Sequence, residues 1–325
     1  MNLKKDNIVI GIDTSCYTTS IAAISLNKEI ILNEKIMLKV DKNSKGLRQS
    51  EMVFQHISNI GEISEAISSK LNDYNIVGVC ASKTPRPVEG SYMPAFTVGF
   101  NTAKLISATN NCPFFSTTHQ ENHIEASLFR KNLLDENKFI AVHISGGTLE
   151  IILVNKNGID YDIEIIGGTK DVSFGQLIDR LGVKLSYDFP CGKYIDKNAL
   201  KFDGKIKEGL KTSVKEGYMN LSGIENQLNK IIDSEGSVDE NYLSKLLMDT
   251  IVRCMEKSLS YLCKKYNTYE VVFAGGVSAS EYISKYLTQK LKKYKIKTYF
   301  TEAVLATDNA VGCALIGVKN LNLGE

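Results

Sequence analysis

Two distant stretches follow one grammar, and that repetition limits the fold more than any single motif. Ile8-Val-Ile-Gly-Ile-Asp13 is a short apolar run rich in β-branched residues, so it is expected as a buried strand. A polar turn from Thr14 to Thr19 follows, then a strand from Ser20 to Leu26 and a third from Ile30 to Val40. A helix with apolar positions Met52, Val53, Phe54, Ile57 and Ile60 comes next, then a strand at Ile76–Ala81. A proline-rich loop, Pro85 to Pro94, leads into a helix over 96–108, and a short strand, Pro113 to Phe115, closes the set. From Lys138 the order starts again. Phe139 to Ile144 is a strand, Ser145-Gly-Gly-Thr148 a tight turn, and strands at 150–155 and 161–166 precede a helix over 174–185.

The second copy is interrupted by a lysine-rich interval from about Lys201 to Ser237. Ser237-Val-Asp-Glu240 then has the form of a capping box opening a long helix striped with Leu243, Leu246, Leu247, Ile251 and Cys254. A strand at 270–274, a helix at 280–290, a strand at 298–300 and a last helix from near Asp308 complete it. Tandem strand-strand-strand-helix-strand-helix-strand units predict an α/β chain with one ancestral unit used twice and a central cleft between the copies. The expected domains are 1–137 and 138–325, the second with a helical insertion at about 201–260.

The chain has 325 residues, enough for two cores, and 43% hydrophobic against 23% charged residues excludes a disordered chain. Seven cysteines, odd in number and without a CxxC pair, argue for a reducing compartment and against a disulfide frame. No apolar run is long enough for a signal peptide or membrane span, so a cytoplasmic location is expected.

Three places can carry chemistry. Asp13-Thr14-Ser15 and Ser145-Gly146-Gly147 occupy matching turns, where hydroxyls and free N–H groups suit phosphate oxygens and Asp13 suits a hydrated cation such as magnesium. Either turn alone also reads as a plain hairpin. Ala274-Gly275-Gly276-Val277-Ser278-Ala279-Ser280 is a strand running through a glycine pair into a helix, which fits a nucleoside platform or simply a close junction. Finally, Ser116-Thr-Thr-His119-Gln-Glu-Asn-His123 offers hydroxyl N-caps and two of the chain's four histidines on one helical face. That pair can grip a metal or be ordinary surface histidines. Gln120 stands where a zincin protease has its general-base Glu, which disfavours proteolysis.

Taken in order, these motifs resemble the actin-like ATPase superfamily, and within it the TsaD family of threonylcarbamoyl transferases that modify tRNA. The resemblance runs through Gly11-Ile-Asp-Thr-Ser-Cys16, the HxxxH pair, Ile144-Ser-Gly-Gly147, Phe189-Pro-Cys-Gly192, Ala274-Gly-Gly-Val-Ser-Ala279 and Thr307-Asp-Asn-Ala310. It implies two actin-like domains and one divalent metal, iron or zinc, on His119, His123 and Asp308. It further implies ATP or an adenylate held by Ser145, Gly146, Gly147, Asp179, Gly192, Gly275, Gly276 and Ser280. The first-turn residues Asp13, Ser15 and Thr18 become the catalytic candidates, and tRNA and a TsaB-like actin-fold protein the implied partners. The chain departs from the family at Tyr17 and Thr18, where an acidic pair is usual, at the Pro85–Gly90 loop, at Thr148 and at Ser280. A nucleotide-gated partner-binding module is the competing reading. The lysines at 290, 292, 293, 295 and 297 suit either an RNA backbone or solvent.

Overall fold

The computed structural model describes residues 6–15, 17–40, 47–133, 137–158, 160–206, 208–235 and 239–322. Cys16 and Ser237, named in the motifs above, lie outside them. In chain order, the first elements are β1 (Asp6–Ser15), β2 (Thr18–Ser25), β3 (Ile30–Met37), α1 (Gln49–Lys70), β4 (Tyr74–Thr84), α2 (Ala95–Asn110), β5 (Phe114–Thr118) and α3 (His119–Leu128). Then come β6 (Lys138–Ile144), β7 (Leu149–Asn157), β8 (Asp160–Thr169), α4 (Phe174–Lys184), α5 (Gly192–Lys201), β9 (Ser213–Lys215) and β10 (Tyr218–Asn220). The rest is α6 (Ser222–Glu235), α7 (Glu240–Tyr266), β11 (Glu270–Ala274), α8 (Glu281–Leu291), β12 (Lys297–Phe300), α9 (Ala303–Ala306) and α10 (Val311–Asn322).

The chain forms two compact units, Met1–Phe129 with Asp308–Glu325, and Arg130–Thr307. The first sheet has the order β3-β2-β1-β4-β5, with β1–β3 antiparallel neighbours and β4 and β5 parallel to β1. In the second sheet the run β8-β7-β6-β11-β12 repeats that order and those directions. The repeated grammar of the sequence is therefore a repeated topology. The second sheet also carries a β9–β10 hairpin beside β8, in the interval expected as an insertion.

In the first unit β1 is buried from Ile8 to Ser15 because helices cover both of its faces. Side chains alternate across a strand. Ile8, Ile10 and Ile12 join Ile21, Leu32, Ile63 and Ala103 in the main core, and a Cβ on Gly99 of α2 would meet Ile12 and Thr14. The odd residues face α10. A Cβ on Gly317 would meet Val9, and one on Gly11 would meet Ala310 and Ala314. Thus the last helix, expected in the second half, packs in the first unit.

Three further readings change. Thr14, Ser15, Thr18 and Thr19 are not in a broad polar turn but in the paired ends of β1 and β2, joined in register. On α1 the core side is Met52, His56 and Ile63, while Phe54 and Ile57 are 66% and 59% exposed. The apolar positions named from the sequence thus do not all face the core, and buried His56 has its Nδ1 2.8 Å from the Thr19 hydroxyl. In the second unit, α7 is a core element, with Leu243, Leu246, Leu247, Ile251 and Cys254 all buried. Its N-cap is Asp239, which accepts from Asn241 N–H at 2.8 Å. Among the described residues, no helix is long and apolar enough to cross a membrane.

Candidate metal centre and nucleotide site

The metal-ligand candidates are assembled within the first unit. The Thr118 hydroxyl accepts from Glu121 N–H, and the Glu121 carboxylate accepts from Thr118 N–H, so a capping box fixes where α3 begins. His119 is then the first helical residue and His123 stands one turn later. Their Nε2 atoms lie 3.1 Å apart. Asp308 Oδ1 is 3.3 Å from His123 Nε2 and 3.8 Å from His119 Nε2. One ligand atom from each of the three residues falls within 4.8 Å of the others.

Asp308 reaches this point because the start of α10 is pinned to α3 and β1. Asn122, between the two histidines, donates to Asn309 O at 2.6 Å and accepts from Cys313 N–H at 2.8 Å. Gly312 lets the helix approach, since a Cβ there would stand 1.9 Å from Asn122 O.

Asp13 behaves differently from the turn carboxylate expected to meet a phosphate-bound cation. It is 0% exposed, and its two oxygens lie 3.1 and 3.0 Å from His119 Nδ1. A carboxylate only accepts, so Nδ1–H must donate and Nε2 turns towards His123 and Asp308. Ser82 on β4 donates to Asp13 from the other side. This carboxylate–imidazole pairing is the usual outer support of a metal-bound histidine. Ser15 Oγ donates to Asp308 Oδ2 at 3.1 Å, leaving Oδ1 to face the imidazoles. Thr18 is buried at the β1–β2 end, next to the exposed Tyr17. Sequence reasoning missed Ser82 and Phe96, whose ring meets that of His119 edge-on at 5.9 Å; neither carries a local motif.

The electrostatics favour a cation here. Burial opposes charge on His119, but Asp13 and then Asp308 outweigh it and raise the imidazole pKa to about 9, from an ordinary 6.5. A folded pKa above the unfolded value stabilises the protein fully below pH 6.5. That contribution is lost as pH rises through about 9. Chelator-treated protein should therefore show a Tm that falls across this window, and Asp13→Asn should flatten the fall. An unchanged slope in Asp13→Asn would rule out this coupling. With metal supplied, the same substitution should weaken its binding by roughly 10–100-fold, the scale for an outer-shell partner.

The second unit gathers most of the nucleotide candidates. Ser145 N–H donates to Thr148 O at 2.9 Å and Thr148 N–H to Ser145 Oγ at 3.0 Å, closing the turn. Gly146 and Gly147 are exposed, with nothing within 4 Å of where a Cβ would stand. Ser173, the N-cap of α4, accepts from Gln176 N–H and donates to Gly146 O at 2.7 Å. The positive end of α4 is thereby seated on the turn. Gly275 has φ +92°, and a Cβ would lie 2.3 Å from Ile144 O, so the glycine pair packs against the same strand end. One α4 turn on from Gly175, Asp179 accepts from Cys191 N–H at 2.8 Å, beside Gly192 at the start of α5. Burial raises its carboxyl pKa, and that hydrogen bond opposes the rise. Ser280 is placed otherwise. It caps α8 and donates to Asp196, so its hydroxyl is engaged in scaffolding.

The family described as TsaD, tRNA N6-adenosine threonylcarbamoyltransferase, matches residues 34–315. A tRNA N6-adenosine threonylcarbamoyltransferase of Thermotoga neapolitana is 25% identical over 319 residues, 97% of this chain and 95% of the relative. Another, of Syntrophus aciditrophicus, is 28% identical over 336 residues, covering 98% and 94%. Among solved structures, full-length HypF in its phosphate- and nucleotide-bound form aligns with a TM-score of 0.59 at 14% identity, over 98% of this chain and 56% of that one. A ROK family glucokinase from Streptomyces griseus, in complex with glucose and AMPPNP, aligns at 0.52 and 10% identity, over 95% and 99%. Such likeness speaks to fold, and the fold is the actin-like ATPase fold. With the family match spanning most of the sequence, the chain belongs to the TsaD family of tRNA N6-adenosine threonylcarbamoyltransferases.

Proposed function

We propose that this chain transfers a threonylcarbamoyl group from threonylcarbamoyl-adenylate to N6 of the adenosine beside the tRNA anticodon. The observation that carries the reading is the His119–His123–Asp308 cluster with Asp13 behind His119. Two imidazoles and one carboxylate suit iron or zinc and leave coordination positions open for a ligand. Such an ion would supply Lewis-acid polarisation of the mixed anhydride. The protein's own part is orientation: Asp13 fixes the His119 ring and Ser15 fixes one oxygen of Asp308.

We assign the adenylate's phosphate to the Ser145–Gly147 turn, where backbone N–H groups and the start of α4 favour an anion. Its adenosine is assigned to Asp179, Gly192 and the Gly275–Gly276 pair, with Asp179's second oxygen for a ribose hydroxyl. The reading includes tRNA as acceptor and an actin-fold partner of TsaB type.

One observation favours a second reading. Tyr17 and Thr18 stand where the family carries acids, and a chain without them can serve as a nucleotide-gated module that binds a partner. Mass spectrometry of tRNA nucleosides, with the adenylate and partner proteins supplied, separates the two. Wild-type modification supports the transferase, as does a silent wild type that Thr18→Glu switches on. If both proteins are silent, and ATP shifts partner affinity equally in wild type and His119→Ala, the chain is the binding module.

A further inference from the structure

The end of β4 leads from the metal centre into a basic surface of the first unit. Ser82, which donates to Asp13, pairs with Thr117 of β5, and Thr84 pairs with Thr118. Lys83 between them has no paired residue on β5, so the strand bulges there. A bulge re-aims a side chain, and bulges gather beside active sites. The Lys83 ammonium lies 6.0 Å from the centre of the Phe100 ring on α2. One helical turn on, the Lys104 ammonium stands 4.8 Å from the same ring centre and 6.0 Å from that of Phe114. The two half-buried rings meet edge-on at 5.2 Å, a fixed platform beneath both lysines. Lys83 and Lys104 are themselves exposed. Among the described residues, both ammoniums rest on rings and neither on a carboxylate.

The surrounding sequence does not cancel that charge. Between Asp73 and Glu121 the chain has three cations, Lys83, Arg86 and Lys104, against one acid, Glu89. Two like charges drawn to one ring repel each other, and an anion bound between them relieves the repulsion. Backbone ties the surface to the metal centre: Pro85 O accepts from Gln120 N–H at 3.1 Å, one residue after His119. We propose that Lys83 and Lys104 hold backbone phosphates of the RNA strand whose adenosine reaches that centre. The proposal rests on the transferase reading for the RNA. Such an acceptor must lay the nucleotides flanking its target across the surface around the metal. Phosphate contacts there fix register and supply much of the affinity.

The test titrates a fluorescent anticodon stem-loop RNA with the full chain, its partner proteins supplied, at several salt concentrations. Lys83→Gln and Lys104→Gln should each lower the salt slope of the binding constant by about 0.7, the value for one phosphate contact on a single strand. The double substitution should weaken binding by roughly tenfold or more and raise KM for tRNA by the same factor, with kcat kept. Lys83→Arg combined with Lys104→Arg should retain slope and affinity, because arginine keeps the charge a phosphate meets. A double glutamine variant with wild-type slope and KM overturns the proposal and leaves the transferase reading standing. One that loses a partner protein but keeps the RNA slope overturns it too, and makes the surface a protein interface. Absence of saturable RNA binding by the wild type also overturns it. Should the wild type bind the RNA through these lysines yet modify no tRNA, the transferase reading falls and the phosphate contact stands.

Discussion

His119→Ala, His123→Ala and Asp308→Ala should each strip the protein of its metal and cut tRNA modification by about 10³-fold, the scale of several kcal/mol of transition-state stabilisation. Each residue contributes one of the three ligand atoms that cluster among the described residues, so two remaining donors hold an ion poorly. The effect should exceed that of Asp13→Asn, which leaves all three donors in place and disturbs only the hydrogen bond that turns His119. Metal content by elemental analysis and modified nucleoside by mass spectrometry read the two effects separately. A His123→Ala protein with a full equivalent of metal would show that the ion binds elsewhere.

Gly312→Ala should be the most damaging single methyl group in the first unit. The added carbon would stand 1.9 Å from Asn122 O and 2.7 Å from the carbonyl carbon, and backbone cannot move aside as a side chain can. Overpacking of this kind costs about 3 kcal/mol, expected as a Tm loss of roughly 6–12 °C. Because α10 must retreat from α3, Asp308 should leave the histidines and metal should be lost along with stability. Gly146→Ala is the control: open space surrounds its Cβ position, so the Tm should stay within about 1 °C. Equal melting temperatures for the two variants would sink the claim that close packing of α10 positions Asp308.

The sequence by itself determined the repeated strands and helices, but not α5, α9 or the β9–β10 hairpin. β-branched runs such as Ile8–Ile12 and Phe139–Ile144 read as strands because their pattern is local. The HxxxH face was legible for the same reason, since two side chains four apart on a helix are neighbours whatever lies around them. The hydroxyl run Ser116 to Thr118 offered N-caps for that helix, and Thr118 is the one that caps it.

Tertiary structure decided what depends on contacts between distant segments. Which side of β1 faces α10, and so whether Asp13 meets a cation or the His119 ring, follows from the packing of a helix some 300 positions later. The same packing brings Asp308 to His123 and draws the C-terminal helix into the first unit. Local hydrophobicity singled out Phe54 and Ile57 on α1, but both are exposed, and the buried position is that of His56, whose Nδ1 meets a hydroxyl of the neighbouring sheet. Side-chain pattern carries information over a few residues. Backbone approach at Gly11 and Gly312, and cross-strand register at Ser82 and Thr117, exist only once the chain has closed on itself.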